Sequence, residues 1–310
     1  MLPHELERVA ARCVPGKGKP DVHRLSNGLV NETYRVERDG SFYAMRVAAL
    51  NPYGLGLDRA WEASVLAGAV AAELAPVPEY CDWQRGILIT RWVHGRLWNP
   101  ADVRRRSNIS RIAELARRIH ALPMPVPARV MSPMKWIEHY SAAARQGTLR
   151  DSNAAPGAAA LRTAATQRLT ALAALPGVDP VVCHSDMHAL NLIDRGDSLV
   201  LLDWEYAHAS DPLWDLAGWK ANNDLEEQHA QDLLADYAGR PPTRDEFLRL
   251  QLLSWLYDYV CLVWSEIYVN LQRDDRPGLA QGDMPKRDAR IDGVAARALE
   301  LEARLHTKRW

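Results

Sequence analysis

The chain contains few of the residues that define specialised classes of protein. Its four cysteines, at positions 13, 81, 183 and 261, include no C-x-x-C spacing, so they are expected to be reduced thiols and not a disulfide framework. No apolar run reaches the length of about 18 residues that a membrane span needs. The net charge of -1 lacks the basic excess that holds nucleic acid or anionic membranes.

The N-terminal residues 1–7 show no basic region followed by an apolar one, so no signal peptide is predicted. We therefore expect a cytoplasmic protein without a nucleic-acid or membrane partner. Phenylalanine is also nearly missing, with two residues against eleven Trp and ten Tyr. The remaining composition, 47% hydrophobic and 25% charged, is typical of a globular protein. A length of 310 residues allows one large domain or two lobes.

The order of hydrophobic patterns predicts an α+β protein. Residues 22–47 read as an antiparallel meander with Gly/Asn turns, 58–72 as a helix capped by an aspartate, and 86–93 as a further strand. Helical spacing then dominates to the end of the chain. We predict a small lobe over 1–95, a hinge at about 90–95, and a larger helical lobe over 96–310.

The stretch from His184 to Asn191 carries the strongest chemical signal. It reads H-S-D-M-H-A-L-N, and D-W-E begins twelve residues after Asn191. Phosphoryl transfer from ATP uses one Asp to accept or aim the proton of the attacking hydroxyl, and an Asn and a second Asp to hold magnesium. Asp186, Asn191 and Asp203 have that order. Short apolar runs flank a polar turn at 194–197, which predicts a hairpin with both carboxylates at its mouth.

This stretch has two other interpretations. An acidic residue in a turn is often only a turn former. His184, Asp186 and His188 also suggest a metal-hydrolase cluster, but no second His/Asp cluster accompanies them. That interpretation also leaves Asn191 and Asp203 without a role, so we favour phosphoryl transfer.

A nucleotide-binding end is predicted upstream. The first strand turn is rich in small and turn-forming residues, which let backbone N–H groups approach phosphate oxygens; its candidates are Ser26, Asn27, Gly28 and Asn31. Arg46 on the third strand and Glu62 on the next helix match the cation and its glutamate partner of kinases. An arginine fork can hold carboxylate and phosphate oxygens bidentately. The alternative for Arg46 is a solvated strand residue.

Four segments together resemble a known family. They read S-N-G-L-V-N-E-T-Y-R-V from 26, A-M-R-V from 44, H-S-D-M-H-A-L-N-L-I from 184 and L-L-D-W-E-Y-A-H-A-S-D-P-L-W-D-L-A from 201. The combination resembles the choline kinase and thiamine kinase branch of the aminoglycoside-phosphotransferase-like superfamily, over about residues 20–270. The resemblance implies a bilobal protein-kinase-like fold, with a small antiparallel-sheet lobe, a larger mainly helical lobe and ATP in the cleft.

The resemblance also implies roles for particular residues. Asp186 is expected to be the catalytic base, and Asn191 and Asp203 the magnesium ligands. Glu205 is expected to be a further acidic contact to the metal or its waters. Leu190 departs from the family, in which glycine is usual at this position, and we expect activity to be retained.

Three further positions follow from the same resemblance. The backbone from Arg91 to Val93 is expected to be the hinge that meets adenine. Asp211 is expected to buttress the catalytic loop, and Asp215 to start or cap the next helix.

The acceptor end is predicted from aromatic residues. In a helix over 254–266, Trp255 and Tyr259 share one face, while Tyr257 and Trp264 lie nearly opposite. Aromatic faces bind quaternary ammonium and thiazolium groups through cation–π attraction. The substrate-binding candidates are Trp219, Trp255, Tyr259 and Trp264. The alternative is that this aromatic stripe packs the core.

The predicted function is an ATP- and Mg²⁺-dependent kinase that phosphorylates the hydroxyl of a small cationic alcohol such as choline, ethanolamine or thiamine. An aminoglycoside or other sugar-type phosphotransferase is the alternative, although a polycationic sugar would favour a broad acidic cleft with fewer aromatics. A non-catalytic nucleotide-binding relative is disfavoured because Asp186, Asn191 and Asp203 are intact. The expected partner is a small-molecule alcohol, and the protein is expected to be a monomer or homodimer.

Overall fold

The computed structural model describes residues 3–48, 55–146, 156–274 and 289–308. Within these residues, no helix combines the length and the apolar character needed to cross a bilayer. The architecture is a five-stranded antiparallel sheet followed by a mainly helical part. The predicted α+β class is therefore confirmed.

The sheet has the strand order β1-β2-β3-β5-β4. Its strands are β1 Asp21–Asn27, β2 Asn31–Arg38, β3 Ser41–Ala48, β4 Pro78–Asp82 and β5 Ile87–Arg91. Arg46 of β3 pairs with Thr33 on one side and Leu88 on the other. Directly paired residues share a face of the sheet, so these three side chains point the same way. The strand β4 was not predicted from the sequence.

The other face of the sheet is covered by the helix α1, Pro3–Cys13. Leu6 and Val9 of this helix form one buried cluster with Val36 and Met45 of the sheet. Met45 is next to Arg46 in β3, and neighbouring strand residues point to opposite faces. The sheet therefore has an apolar face under α1 and a face with polar side chains that is available to a functional site.

The helix α2, Arg59–Ala71, follows the sheet strands β1–β3. Asp58 accepts a hydrogen bond from the backbone N–H of Trp61 at 2.9 Å, so the predicted aspartate cap is confirmed. Arg59 and Glu62, one turn apart at the start of this helix, are both buried. The cap fixes the start of α2, and the first turn of the helix thereby places Glu62 next to Arg46 of the sheet.

The larger part of the fold is built from eight helices within the described residues. They are α3 Pro100–Arg104, α4 Arg106–His120, α5 Pro133–Gln146, α6 Pro156–Ala173, α7 Leu213–Asn222, α8 Glu227–Ala238, α9 Arg244–Asp274 and α10 Ala289–Thr307. The α4 residues Ile109, Ile112 and Ile119 are buried at helical spacing, as predicted. The helix α5 was not predicted.

Short strands carry the predicted catalytic segment. They are β6 Arg96–Leu97, β7 Val181–Cys183, β8 Leu192–Asp194, β9 Leu199–Leu201 and β10 His208–Ser210. The strands β8 and β9 form the predicted hairpin, with β6 along its edge. The strand β7 pairs with β10 instead. The loop from β7 to β8 and the segment after β9 therefore both leave the ends of short, paired strands.

Candidate active site

A cavity of about 750 Å³ is lined by residues of the sheet, of the loop between β7 and β8, and of α7, α9 and α10. Thr33, Arg46 and Leu88, the paired residues of the polar sheet face, line it. Asp186, Asn191 and Asp203 line it as well. The fold thus brings the predicted nucleotide end and the predicted catalytic hairpin to one cavity.

Asp186 lies in this cavity with polar partners around its carboxylate. The Asn191 side-chain amide donates to the Asp186 backbone oxygen at 3.1 Å and to its Oδ2 at 3.0 Å. His188 Nε2 lies 3.4 Å from the same Oδ2. Burial alone would raise the pKa of Asp186, but the charge and hydrogen bond of His188, with help from His184 and Asn191, lower it. Asp186 is therefore ionised at neutral pH and able to accept a hydroxyl proton.

The fully buried Asp215 holds the loop between β7 and β8, in which Asp186 lies. Its carboxylate accepts from the backbone N–H of His184 at 2.9 Å and of Ser185 at 2.7 Å. Ser185 adopts a φ of 69°, a left-handed conformation that is costly for a residue other than glycine. The two hydrogen bonds from consecutive residues stabilise this turn of the backbone next to Asp186.

Asp211, in contrast, accepts from the N–H of Leu213 at 2.9 Å and pairs with Arg249. The expected roles of Asp211 and Asp215 were therefore exchanged. Asp211 lies just before α7 and accepts from the N–H of its first residue, Leu213, whereas Asp215 lies within α7 on the buried side that faces the loop.

The metal-hydrolase alternative required histidine nitrogens that are available as ligands. His184 Nε2 donates to the Leu202 backbone oxygen at 2.9 Å, and its Nδ1 accepts from the Asp186 N–H at 3.3 Å. Both nitrogens of this ring are therefore used to hold the backbone, so the cluster lacks its first histidine ligand.

Arg46 reaches across the cavity to two carboxylates. It forms an ion pair with Glu62, and its Nη1 donates to Asp203 Oδ1 at 2.6 Å. Burial alone would lower the pKa of Arg46, but Glu62, Asp203 and Glu205 raise it overall. The structure thus brings the predicted strand cation and its helix glutamate together, and Arg46 is a partly buried ion-pair residue and not a solvated one.

Arg59 is a second cation next to Glu62, and this buried residue was missed from the sequence. Its Nη1 donates to Glu62 at 2.8 Å and to Glu205 Oε2 at 2.7 Å, and its Nη2 donates to Asn31 Oδ1 at 2.8 Å. Asn31 in turn donates to Glu205 Oε2 at 2.7 Å. The available signal was the i,i+3 spacing of Arg59 and Glu62 on one helix face.

Glu205 is the acidic member of this network on the hairpin side. Burial and the neighbouring Asp203 raise the pKa of Glu205 to about 7, although Arg46 and Arg59 act in the opposite direction. Three carboxylates, those of Glu62, Asp203 and Glu205, face only two guanidinium groups here, an arrangement that favours binding of a further cation.

Three residues of the cavity wall, Asn191, Asp203 and Glu205, have oxygen atoms of the kind that magnesium prefers, and their role as magnesium ligands stays a prediction. One polar atom of each residue is already hydrogen-bonded. The Asn191 amide nitrogen donates to Asp186. Asp203 Oδ1 accepts from Arg46, and Glu205 Oε2 accepts from Arg59. Within the described residues no hydrogen bond uses Asn191 Oδ1, Asp203 Oδ2 or Glu205 Oε1, and all three residues line the cavity. Magnesium prefers such hard oxygen ligands.

The first strand turn contributes Gly28 to the cavity wall. A Cβ on Gly28 would lie 2.4 Å from the Asn31 carbonyl oxygen, so only glycine fits this close approach. The side chains of Ser26 and Asn27 fall outside the described residues.

The predicted hinge leaves the sheet at the end of β5. Leu88 and Thr90 line the cavity, whereas Arg91 is exposed and pairs with Glu79. The side chains of Arg91 and Val93 are not part of the cavity wall. A contact between adenine and the backbone of 91–93 stays a prediction.

Of the four predicted substrate residues, the structure brings one to the cavity. Trp264 lines it, and its Nε1 donates to the Tyr206 hydroxyl at 2.7 Å. Trp219 is fully buried, edge-on to Trp98. Tyr259 stacks on Trp255 with ring centroids 5.6 Å apart.

Trp255 is also covered from α6 and α10, because Arg168 lies 4.1 Å over its ring and Leu305 accepts its N–H. Trp219, Trp255 and Tyr259 therefore belong to the core, in correction of their assignment to the substrate. The face of α9 that reaches the cavity is the one with Tyr257, Cys261 and Trp264.

Several aromatic residues of the cavity wall were not predicted. They are Trp136, Tyr140, Tyr206, Trp214 and Tyr257. The Tyr257 hydroxyl donates to the Ser185 backbone oxygen at 3.2 Å, so this ring also supports the catalytic loop. Trp136 stacks on Tyr140 with centroids 5.3 Å apart. Tyr206 was within reach of the sequence, because it directly follows D-W-E.

Leu190, the departure from the family pattern, lies at the cavity and is 70% exposed. It belongs to a short 3₁₀ turn, Ala189–Asn191, in which its N–H donates to His188 Nδ1 at 3.2 Å. Leu190 is not among the residues with positive φ. The backbone here therefore does not require glycine.

The sequence matches the phosphotransferase enzyme family (APH) over residues 21–248, and the chain belongs to that family. The predicted family resemblance is thus confirmed. Thiamine kinases of Escherichia coli are 41% identical to this chain over 73 residues, which is 23% of this chain and 25% of the relative. The chain therefore matches about a quarter of the length of these curated relatives.

Solved structures share the fold over nearly the whole chain. A choline/ethanolamine kinase family protein from Mesorhizobium loti is 24% identical, with a TM-score of 0.72 and 97% of this chain and 95% of that chain covered. The choline kinase LicA from Streptococcus pneumoniae is 19% identical, with a TM-score of 0.72 and 97% of this chain and 98% of that chain covered. A spectinomycin phosphotransferase is 13% identical, with a TM-score of 0.61 and 99% of each chain covered. At these identities the likeness shows the bilobal kinase-like fold.

Proposed function

We propose that this phosphotransferase transfers the γ-phosphoryl group of ATP to the hydroxyl of a small alcohol with one positive charge, of the choline, ethanolamine or thiamine type. The observation that carries the proposal is the shared cavity. Asp186 lines it together with Arg46, with the oxygen-bearing residues Asn191, Asp203 and Glu205, and with a group of aromatic rings. Residues 1–95, with a hinge at 90–95, hold the nucleotide, and 96–310 hold the acceptor.

Asp186 is the residue that acts on the acceptor. Its ionised carboxylate takes the hydroxyl proton as the hydroxyl oxygen attacks the γ-phosphorus. The bond from phosphorus to the β,γ-bridging oxygen breaks, and ADP leaves with that electron pair. Asn191 fixes the carboxylate through its amide, and Asp215 fixes the loop beneath it.

Charge at the phosphates is balanced by other residues. Arg46 lies on the cavity wall and can exchange Asp203 for a phosphate oxygen. The turn at Gly28 offers backbone N–H groups to the phosphates. Bound magnesium, held by Asn191, Asp203 and Glu205, would neutralise charge on the transferring group.

The aromatic end supports an acceptor with a single positive charge. Tyr206 and Trp264 are only partly buried, and the hydrogen bond between them fixes both rings. A cation over such a ring gains about 0.5–2 kcal/mol. The Asp186 carboxylate adds the one negative charge close to the reacting hydroxyl.

A polycationic aminoglycoside would need further carboxylates to bind its several positive charges. Those of the described cavity wall already form ion pairs with arginine or lysine side chains. They are Glu62, Asp203, Glu205 and Asp258 besides Asp186. The first three pair with Arg46 or Arg59. Asp258 pairs with Arg304 and Lys308. This arrangement favours the small alcohol over the aminoglycoside.

A panel of acceptors with radiolabelled ATP tests the proposal. Choline, ethanolamine, thiamine, the neutral choline isostere 3,3-dimethylbutanol, spectinomycin and gentamicin are compared at equal concentration, with Asp186→Asn as the control for contaminating kinases. We expect label to appear in a cationic alcohol and not in its neutral isostere. Transfer to an aminoglycoside alone, or to no acceptor, would contradict the proposal.

A further inference from the structure

We propose that Arg59 is a positioning residue that connects the phosphate-binding turn to the metal-binding end of the site through Asn31 and Glu205. The proposal rests on the proposed function, because it assigns Arg59 a task within that reaction. Arg59 is not among the residues that line the cavity. It acts by orienting two residues that do belong to the nucleotide end.

The first argument is geometric. Arg59 donates through two nitrogens to three side chains from three separate segments: Asn31 at the start of β2, Glu62 one turn along α2, and Glu205 after β9. All four side chains are buried, with Arg59 only 8% exposed. Asn31 closes the arrangement with its own hydrogen bond to Glu205 at 2.7 Å. A planar guanidinium is suited to such fixed, multiple contacts.

The second argument concerns which oxygen of Glu205 is used. Arg59 and Asn31 both donate to Oε2, and the nearest nitrogen of Arg46, at 3.9 Å, also faces Oε2. Among the described residues no hydrogen bond uses Oε1, while Glu205 lines the cavity. Arg59 therefore fixes one oxygen of Glu205 to the small lobe and leaves the other to the cavity.

The third argument concerns the turn. Asn31 immediately follows the turn whose Gly28 lies against the Asn31 carbonyl. A residue that fixes the Asn31 side chain therefore also fixes the backbone against which this turn folds. Through Arg59, the turn and Glu205 adopt their positions together. The direct hydrogen bond from Asn31 to Glu205 joins only these two residues, whereas Arg59 also ties both of them to Glu62 of α2.

The fourth argument is the charge balance. Arg46 and Arg59 face three carboxylates, Glu62, Asp203 and Glu205. Without Arg59, the single guanidinium of Arg46 would have to serve all three. Arg46 would then be drawn toward Glu205, and its exchange from Asp203 to phosphate would be impaired.

The test compares Arg59→Met, which keeps much of the side-chain volume without the charge, with Arg59→Lys, which keeps the charge but not the fork. The control is Arg111→Met, which removes a comparable arginine paired with Asp194 away from the cavity. Mn²⁺ binding to each protein is measured by electron paramagnetic resonance in the presence of ADP. Thermal unfolding is recorded for each variant, and KM for ATP and for the alcohol separately.

We expect Arg59→Met to weaken Mn²⁺ binding in the ADP complex about 10- to 100-fold, as loss of a group that orients a metal ligand does. KM for ATP should rise while KM for the alcohol stays within about twofold, since the acceptor end is not altered. Arg59→Lys should recover part of the Mn²⁺ affinity. Arg111→Met should change the unfolding temperature and leave Mn²⁺ affinity as in the wild type.

A double-mutant cycle with Glu205→Gln completes the test. If Arg59 acts through Glu205, the two losses of Mn²⁺ affinity are non-additive. Wild-type Mn²⁺ affinity in both Arg59 variants, an equal loss in Arg111→Met, or strictly additive effects would each overturn the proposal. A wild type that binds Mn²⁺–ADP but phosphorylates no alcohol would instead contradict the proposed function, and the Mn²⁺ measurements would still decide the role of Arg59.

Discussion

His208 makes the stability of the protein depend on pH in a way that can be calculated from its surroundings. The ring is fully buried at the cavity. Its Nδ1 donates to the Tyr206 backbone oxygen at 2.8 Å, and its Nε2 accepts from Trp136 Nε1 at 3.3 Å. A second proton on Nε2 would remove the acceptor that orients Trp136.

Burial is the main reason that the pKa of His208 falls from 6.5 to about 4, with the nearby Arg129 acting in the same direction. The Tyr206 hydrogen bond and the Asp215 carboxylate oppose the shift. Because the folded pKa is below the unfolded one, the unfolded chain binds more protons between these values. The free energy of unfolding is thus complete above about pH 6.5 and falls as the pH drops toward 4.

The size of the effect follows from about 1.36 kcal/mol for each pKa unit. The full loss attributable to His208 is about 3 kcal/mol near pH 4, and about 2 kcal/mol of it is reached at pH 5. Urea unfolding of the wild type and of His208→Gln, at pH 8 and at pH 5, isolates this contribution, because the variant cannot gain the charge.

For each protein, the change in the free energy of unfolding between pH 8 and pH 5 is measured, and the two changes are compared. A destabilisation of His208→Gln that is the same at both pH values therefore does not affect the result. The wild type should lose about 2 kcal/mol more than the variant between pH 8 and pH 5. Equal losses in the two proteins would show that His208 is not held neutral by burial.

Three further predictions concern the site. Asp186→Asn should keep the fold and ATP affinity but lower kcat about 10²- to 10⁴-fold, the usual value of a positioned base; a kcat near that of the wild type would remove Asp186 from this role. Asp203→Ala should abolish turnover even at high magnesium, and full recovery on titration with metal would make Asp203 peripheral. Trp264→Leu should weaken binding of the cationic alcohol by about 0.5–2 kcal/mol, without changing the affinity for ATP or for the neutral isostere. The matched Trp255→Leu, in the core, should lower stability and leave alcohol binding as it is; the opposite pattern would return Trp255 to the pocket.

Local features of the chain were predictable because neighbouring residues decide them. Asp186, Asn191 and Asp203 were assigned from the sequence because a short hairpin, β8 and β9, joins them and places them at its mouth. The meander of β1 to β3 and the aspartate cap of α2 were equally local. Alternating polarity, turn residues and caps encode such elements within about ten residues.

The exchanged roles of Asp211 and Asp215 show where local reasoning stops. The two aspartates are four residues apart, and either could have capped α7 or held the loop. The choice depends on which side of α7 is buried against the β7–β8 loop, and that is decided by packing. Likewise, α9 is apolar on both faces, and only its contacts with α6 and α10 assign Trp255 to the core and Trp264 to the cavity.

The sequence by itself determined the α+β class, the family pattern and the position of the β8–β9 hairpin, because these depend on short-range periodicity and spacing. The tertiary structure decided that Arg59, Asn31 and Glu205 form one buried network, although Asn31 and Glu205 are separated by 174 positions. Burial of a charged side chain is favourable only when its partners are in place. Those partners come together only once the sheet, α2 and the hairpin have packed around the same cavity.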